Sequence, residues 1–146
     1  MNEVNEISLE GFKVVSGDFF VVSTRIQAPT LTIWENSIGF SKQDLTMLNS
    51  CENILIKINS ADRKILVIPT TSKDKDGVRW VKKLTPLEAR KINCPKLTEH
   101  LFKTWAWDTD YIYRATGRLV TSGNKVMLLF DFTSPERWKK RGLKKA

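Results

Sequence analysis

The chain has one histidine, His100, and two cysteines, Cys51 and Cys94, among its 146 residues. With no C-x-x-C pair and no second imidazole, a zinc or iron–sulfur site lacks ligands, and neither a metal nor a cofactor is expected. No apolar run approaches the roughly 18 residues a membrane-spanning helix needs, so no membrane partner is expected either. The opening Met1-Asn2-Glu3-Val4-Asn5-Glu6 carries acids where a secretory signal carries bases. The expected location is cytoplasmic; cysteine spacing alone does not forbid a disulfide, but a reducing compartment argues for two half-buried thiols. Also missing are a glycine-rich phosphate cradle, an H-E-x-x-H motif and clustered acids for two-metal chemistry. His100 beside Glu99 does not make a catalytic base, because adjacent helix positions point apart and no nucleophile with an oxyanion loop stands near. An enzyme is not expected.

What is present is a globular balance, 41% hydrophobic and 27% charged residues, in a length suited to one domain. The net charge of +8 is unevenly spread. Six cations and no acid fall in the last ten residues: Arg137, Lys139, Lys140, Arg141, Lys144 and Lys145. Subtracting them from 24 leaves 18 bases against 16 acids in the body, which is close to neutral. The expected organisation is therefore a single domain over residues 1–135 and a basic tail over 136–146.

Along the chain, Phe12-Lys13-Val14-Val15 and Phe19-Phe20-Val21-Val22 around Ser16-Gly17 predict an N-terminal hairpin. Leu31 to Trp34 alternates, and Glu35-Asn36-Ser37 returns it to Ile38-Gly39-Phe40 as a tight strand pair. Ser41-Lys42-Gln43-Asp44 is a capping-box variant that opens a short helix carrying Leu45 and Leu48. Asn53 to Ile58 and Lys64 to Ile68 form a hairpin that Pro69 stops. Thr71 to Gly77 is the best linker candidate, followed by a strand-like run from Val78 to Leu84. Pro95 opens a second helix with Leu97, Leu101 and Trp105 on one face. Tyr111 to Val120, with a bulge expected at Gly117, pairs back with Lys125 to Phe130.

Strand, capped helix and hairpin thus occur twice, over half-units 38–70 and 92–132. Ancestral duplication and the chance recurrence of a common unit both explain this. The fold expected is α+β: two successive strand-helix-hairpin units, packed as a pseudo-dimer if the repeat is real, with an N-terminal hairpin and a basic C-terminal tail.

The first unit, Ile38 to Ile68, resembles the swapped-hairpin fold of AbrB-like DNA-binding proteins, usually dimeric; the likeness is of element order and covers about a quarter of the chain. A longer stretch, from Phe19 to Thr133, is similar to a family encoded on prophages and conjugative elements of Gram-positive bacteria. That likeness rests on Ile92-Asn93-Cys94 and its helix, Trp107-Asp108-Thr109-Asp110-Tyr111-Ile112-Tyr113-Arg114, Gly117-Arg118-Leu119-Val120 and Leu128 to Thr133. It implies a mobile-element setting and assigns no activity.

The partner most expected is DNA, through Arg137, Trp138, Lys139, Lys140, Arg141, Lys144 and Lys145, with Arg114 and Arg118 extending the surface if they face one way. Clustered cations release phosphate counterions, and a tryptophan among them can stack on an exposed base. The plainer reading is a solvated, solubilising tail. Trp105 reads as core, whereas Trp107, Tyr111 and Tyr113 straddle a turn where an aromatic can be exposed. The function these features suggest is a non-enzymatic nucleic-acid-binding accessory or regulatory protein of a mobile element, with a transcription regulator and a homodimer among its forms. The alternative is an inhibitor that binds a host protein such as a defence nuclease.

Overall fold

The computed structural model describes residues 6–15 and 28–140. Eleven strands and two helices follow in the order β1 (Thr30–Ile33), β2 (Ser37–Phe40), α1 (Lys42–Met47), β3 (Asn53–Asn59), β4 (Lys64–Thr70), β5 (Val78–Arg79), β6 (Val81–Leu84), β7 (Leu87–Ala89), β8 (Ile92–Asn93), α2 (Pro95–Thr104), β9 (Tyr111–Ser122), β10 (Lys125–Asp131) and β11 (Glu136–Lys139), counted among the described residues.

The α+β expectation of two packed strand-helix-hairpin units is overturned. The protein is mostly antiparallel β, 46% strand against 13% helix, in a curled half-barrel sheet. Its strand order is β5-β3-β4-β10-β9-β1-β2-β8, with β11 added on β9, and β6 pairs with β7 apart from it. Within each unit the strand, helix and hairpin appear in the order read from the sequence; what fails is their grouping. A lone hairpin leaves row upon row of unpaired N–H and C=O groups, and these two hairpins satisfy each other. Lys64–Val67 of β4 takes Leu128–Asp131 of β10, and Ser37–Ile38 of β2 takes Ile92–Asn93 of β8. The helices, six and ten residues long, are too short to stand as a layer and depend on the strands they pack against. The N-terminal hairpin is not formed as expected: Phe12–Val15 is not strand, and Phe19–Val22 lies outside the described residues.

β9 organises the sheet. Its ladder with β10 runs without a register break from Ser122↔Lys125 to Gly117↔Phe130. Beyond Gly117 the same strand pairs with β1 on one edge, Tyr113–Thr116 against Thr30–Ile33, and with β11 over Tyr111–Arg114. The bulge expected at Gly117 is therefore absent. The glycine sits where the partners change, because the Phe130 ring lies against it: a Cβ there would be 2.5 Å from Phe130 Cε1. Its N–H donates to the Pro29 carbonyl at 2.8 Å.

Alternation along these strands decides what is inside. Leu31, Ile33, Ile38, Ile54, Val67, Tyr113, Ala115, Leu128 and Phe130 point into one core, closed by Leu45 and Leu48 from the α1 region and by Leu101, Phe102 and Trp105 from α2. Trp80 interrupts the strand expected from Val78 to Leu84. Fully buried, it donates Nε1–H to the Cys51 carbonyl at 2.6 Å and meets Phe40 edge-on at 5.0 Å. Cys51 and Cys94 are free thiols, half-buried, and burial pushes both thiols up from their ordinary range.

Both helix starts follow their local chemistry. At α1 the Ser41 hydroxyl accepts from the Asp44 N–H, and Asp44 Oδ2 accepts from the Ser41 N–H at 2.6 Å, the reciprocal pair the sequence predicts. Asp44 is completely buried, its Oδ1 has no partner, and burial pushes its carboxyl up to about 7. At α2, Pro95 opens the helix, and the buried Thr98 hydroxyl donates to the Glu35 carbonyl at 2.5 Å, tying the helix to the turn between β1 and β2.

Candidate nucleic-acid interface

Residues Glu136–Lys139, read from the sequence as the start of a tail, form β11 against β9. The pairing places four of the expected binding residues on a folded surface. Arg137 lies opposite Tyr113 and holds its guanidinium 4.4 Å from the centre of the Tyr111 ring. Trp138 lies opposite Ile112, half-buried, with the Arg114 guanidinium 4.9 Å from its ring centre. Lys139 is exposed. Lys140 donates its backbone N–H to the Asp110 carbonyl at 2.8 Å, and its ammonium is engaged by the Glu35 carboxylate. Arg141, Lys144 and Lys145 lie outside the described residues.

Because β9 runs unbroken, Arg114 and Arg118, four positions apart, lie on the same face of the strand. Their surroundings differ. Arg114 is half-buried and donates Nε–H to Thr32 Oγ1 at 2.8 Å. Arg118 is exposed and sits with Lys64 near Asp131, whose carboxyl is held below its ordinary range mainly by hydrogen bonds from the Thr133 hydroxyl and N–H, with these two cations adding to the effect. The structure thus gathers Arg114 and Trp138 at one place and leaves Arg118 farther along the strand.

Trp34 completes this place, and the sequence reading did not single it out. The signal was there in parity: Leu31 and Ile33 are core residues, so Thr32 and Trp34 face the other way. The β1–β9 register ends at Ile33↔Tyr113, which puts Trp34 one step on, beside Ile112. Trp34, Ile112 and Trp138 therefore make a row across three strands, with Thr32, Arg114 and Glu136 the next row. Trp34 and Trp138 lie outside the connected core cluster, and so does Ile112, which is buried on this other face of the sheet at 6% exposure. A cavity of about 350 Å³ opens between the two tryptophans over Thr32, Ile112 and Arg114. Trp34 rests on Gly39, where a Cβ would stand 2.7 Å from Trp34 Cζ3, and Lys91 Nζ lies 4.4 Å from its ring centre.

Three cations, Lys91, Arg114 and Arg137, are thus held over aromatic rings, and none makes an ion pair with a carboxylate among the described residues. Lys140 contrasts with them. Its exposed ion pair with Glu35 contributes no more than about 1 kcal/mol, so Lys140→Ala is expected to leave the urea midpoint nearly unchanged. A larger fall in that midpoint counts against this assignment.

The aromatic residues near the α2–β9 turn are used otherwise. Trp107 stacks on Tyr113 at 4.1 Å and 6°, with Phe102 and Trp105 edge-on to it, and the Asp108 N–H donates to the Tyr113 hydroxyl at 2.9 Å. This packing joins Trp107 and Tyr113 to the core; Tyr111 also packs against it, half-buried, with the Arg137 guanidinium over its ring. Another cavity, of about 400 Å³, lies beside α2 and is lined in part by Glu35, Glu99, Phe102, Lys103 and Trp107; its two acids suit it poorly to an anion. No group of three or more His, Cys, Asp or Glu among the described residues is arranged to hold a metal, and no helix there is long and apolar enough to cross a membrane. No protein-family profile, curated protein or solved structure matches the chain.

Proposed function

We propose that this chain is a non-enzymatic, cytoplasmic nucleic-acid-binding protein, an accessory or regulatory component in the mobile-element setting that the sequence resemblance implies. The observation that carries the reading is the pairing of cations with aromatic rings instead of carboxylates: Arg114 with Trp138, Lys91 with Trp34, Arg137 with Tyr111. A cation without an acid partner keeps its charge for a phosphate, and the ring beside it offers a stacking surface. The further cations Arg141, Lys144 and Lys145 continue the same chain end with no acid among them.

The test is a mobility-shift series on duplex and single-stranded DNA across a range of salt. Because β11 belongs to the sheet, a truncation after Thr133 would remove a strand along with the charges; the informative truncation removes only residues 141–146. Wild-type protein is expected to bind at low salt and to lose affinity steeply as salt rises. The truncated chain is expected to show a log K against log salt slope shallower by roughly 2 to 3, as three phosphate contacts are lost. Absence of any shift with either DNA at low salt overturns the proposal. The host-protein inhibitor reading would then take its place, supported by the exposed Ile7, Leu9, Phe12 and Val14.

A further inference from the structure

We propose that the cleft between Trp34 and Trp138 receives one unpaired base of a single strand, so that the protein prefers single-stranded nucleic acid to duplex. The inference rests on the nucleic-acid reading above and adds the form of the ligand.

Trp34 on the β1 side and Trp138 on β11 flank the same residue of β9, Ile112. Neighbouring strands lie about 4.8 Å apart, so two spacings separate the tryptophan-bearing backbones by roughly 9–10 Å. Bases within a strand stack at about 3.4 Å, so a plane held between two others needs roughly 7 Å. The Trp34 ring edge rests over Gly39 of β2, on the side of β1 away from β11, so it does not narrow this gap, which admits an aromatic plane beside the Trp138 indole with Ile112 as an apolar floor. The cavity of about 350 Å³ is near the lower end for small-ligand sites, in keeping with a base rather than a larger group.

Charge selects among flat ligands. Arg114 forms part of the floor, and its Nε–H is occupied by Thr32 Oγ1, which fixes the guanidinium plane. Both Nη groups are without a hydrogen bond among the described residues and so can serve a ligand carrying acceptors, a base edge or a phosphate oxygen. Lys91 stands over the other wall at Trp34. An apolar peptide would leave both cations without counter-charge, whereas a nucleotide supplies an aromatic plane and an anion together. A duplex cannot enter, since its base faces are already stacked on one another; only unpaired bases can be splayed onto aromatic side chains.

The experiment is a fluorescence titration at fixed salt with an oligothymidylate and with a duplex of equal length. It compares the wild-type chain with Trp34→Ala, Trp138→Ala and Gly39→Ala. The last variant keeps every ring and every charge, and pushes Trp34 out of place through the new Cβ; thermal melts confirm folding, and Gly39→Ala carries the test if either alanine variant fails to fold. Tighter binding of the single strand is expected, with tryptophan quenching. A loss of roughly 5- to 150-fold is expected for each tryptophan replacement, a smaller loss for Gly39→Ala, and an unchanged salt slope in all three. Equal or better binding of duplex overturns the inference. So do variants that keep wild-type affinity for the single strand, and if removal of residues 141–146 still weakens binding in that case, the nucleic-acid reading stands without the cleft. A wild-type chain that binds neither probe at low salt removes both.

Discussion

Asp44→Asn is expected to abolish a loss of stability that the wild-type protein undergoes between about pH 4 and pH 7. The wild-type carboxyl titrates near 4 in an unfolded chain and, pushed up by burial, near 7 in the folded one. Below pH 4 both states hold the proton. As pH rises toward 7 the unfolded state releases it first, so folding becomes progressively less favourable, and above about 7 the penalty is constant. Its full size is on the order of 4 kcal/mol. Asparagine keeps an acceptor oxygen for the Ser41 N–H and has nothing to ionise. Urea midpoints measured from pH 4.5 to 8 are expected to converge at the acid end and to separate toward neutral pH, with the variant the more stable. Parallel curves would show that Asp44 is solvated enough to ionise at its ordinary value. The unpartnered Oδ1 is what argues against that outcome.

Gly117→Ala is the second substitution with a large effect. Alanine ordinarily gains about 0.5–1 kcal/mol over glycine inside a strand. Here its methyl would stand 2.5 Å from Cε1 and 2.8 Å from Cδ1 of Phe130, a ring with no exposure and with Phe40 packed at 6.2 Å on another side. The ring cannot retreat, and overpacking of this kind costs about 1–3 kcal/mol. Net destabilisation is expected in urea unfolding. In the double variant Gly117→Ala with Phe130→Leu, the smaller side chain relieves the clash, so the loss in the double variant is smaller than the sum of the two single losses. Strict additivity would mean that the ring does not press on Gly117.

Much of the local structure was legible. The Ser41–Asp44 cap, Pro95 at the start of α2, the β1–β2 turn and the two hairpins each rest on chemistry confined to a few neighbouring residues. Pairing between hairpins does not. Nothing in Lys64-Ile65-Leu66-Val67 names Leu128–Asp131 as its partner, because any alternating strand with an open edge offers the same groups; an α+β plan and one continuous sheet share the same local pattern. Gly117 was noticed but misread, since a glycine in a strand marks either a bulge or a close approach, and only the Phe130 ring decides. Of the two tryptophans of the cleft, Trp138 is named from the sequence as a residue able to stack on a base, whereas Trp34 is not singled out. Trp34 was legible by parity. The strand that carries Trp138 was hidden by its company: Glu136-Arg137-Trp138-Lys139 has a single apolar residue, too little alternation to announce a strand, and its register depends on the far-off Tyr111–Arg114.

The seam between β4 and β10 also sets a schedule for the growing chain. When Thr70 has left the ribosome, β3 and β4 can pair, but the outer edge of β4 has no neighbour until Leu128–Asp131 has been made. The polar loop from Thr71 to Gly77, which looks like a place to divide the protein, is thus a poor one: a fragment ending there carries a bare strand edge able to recruit another copy of itself. Sheet closure must wait for the last fifth of the sequence, and the half-made protein depends until then on whatever shields that edge.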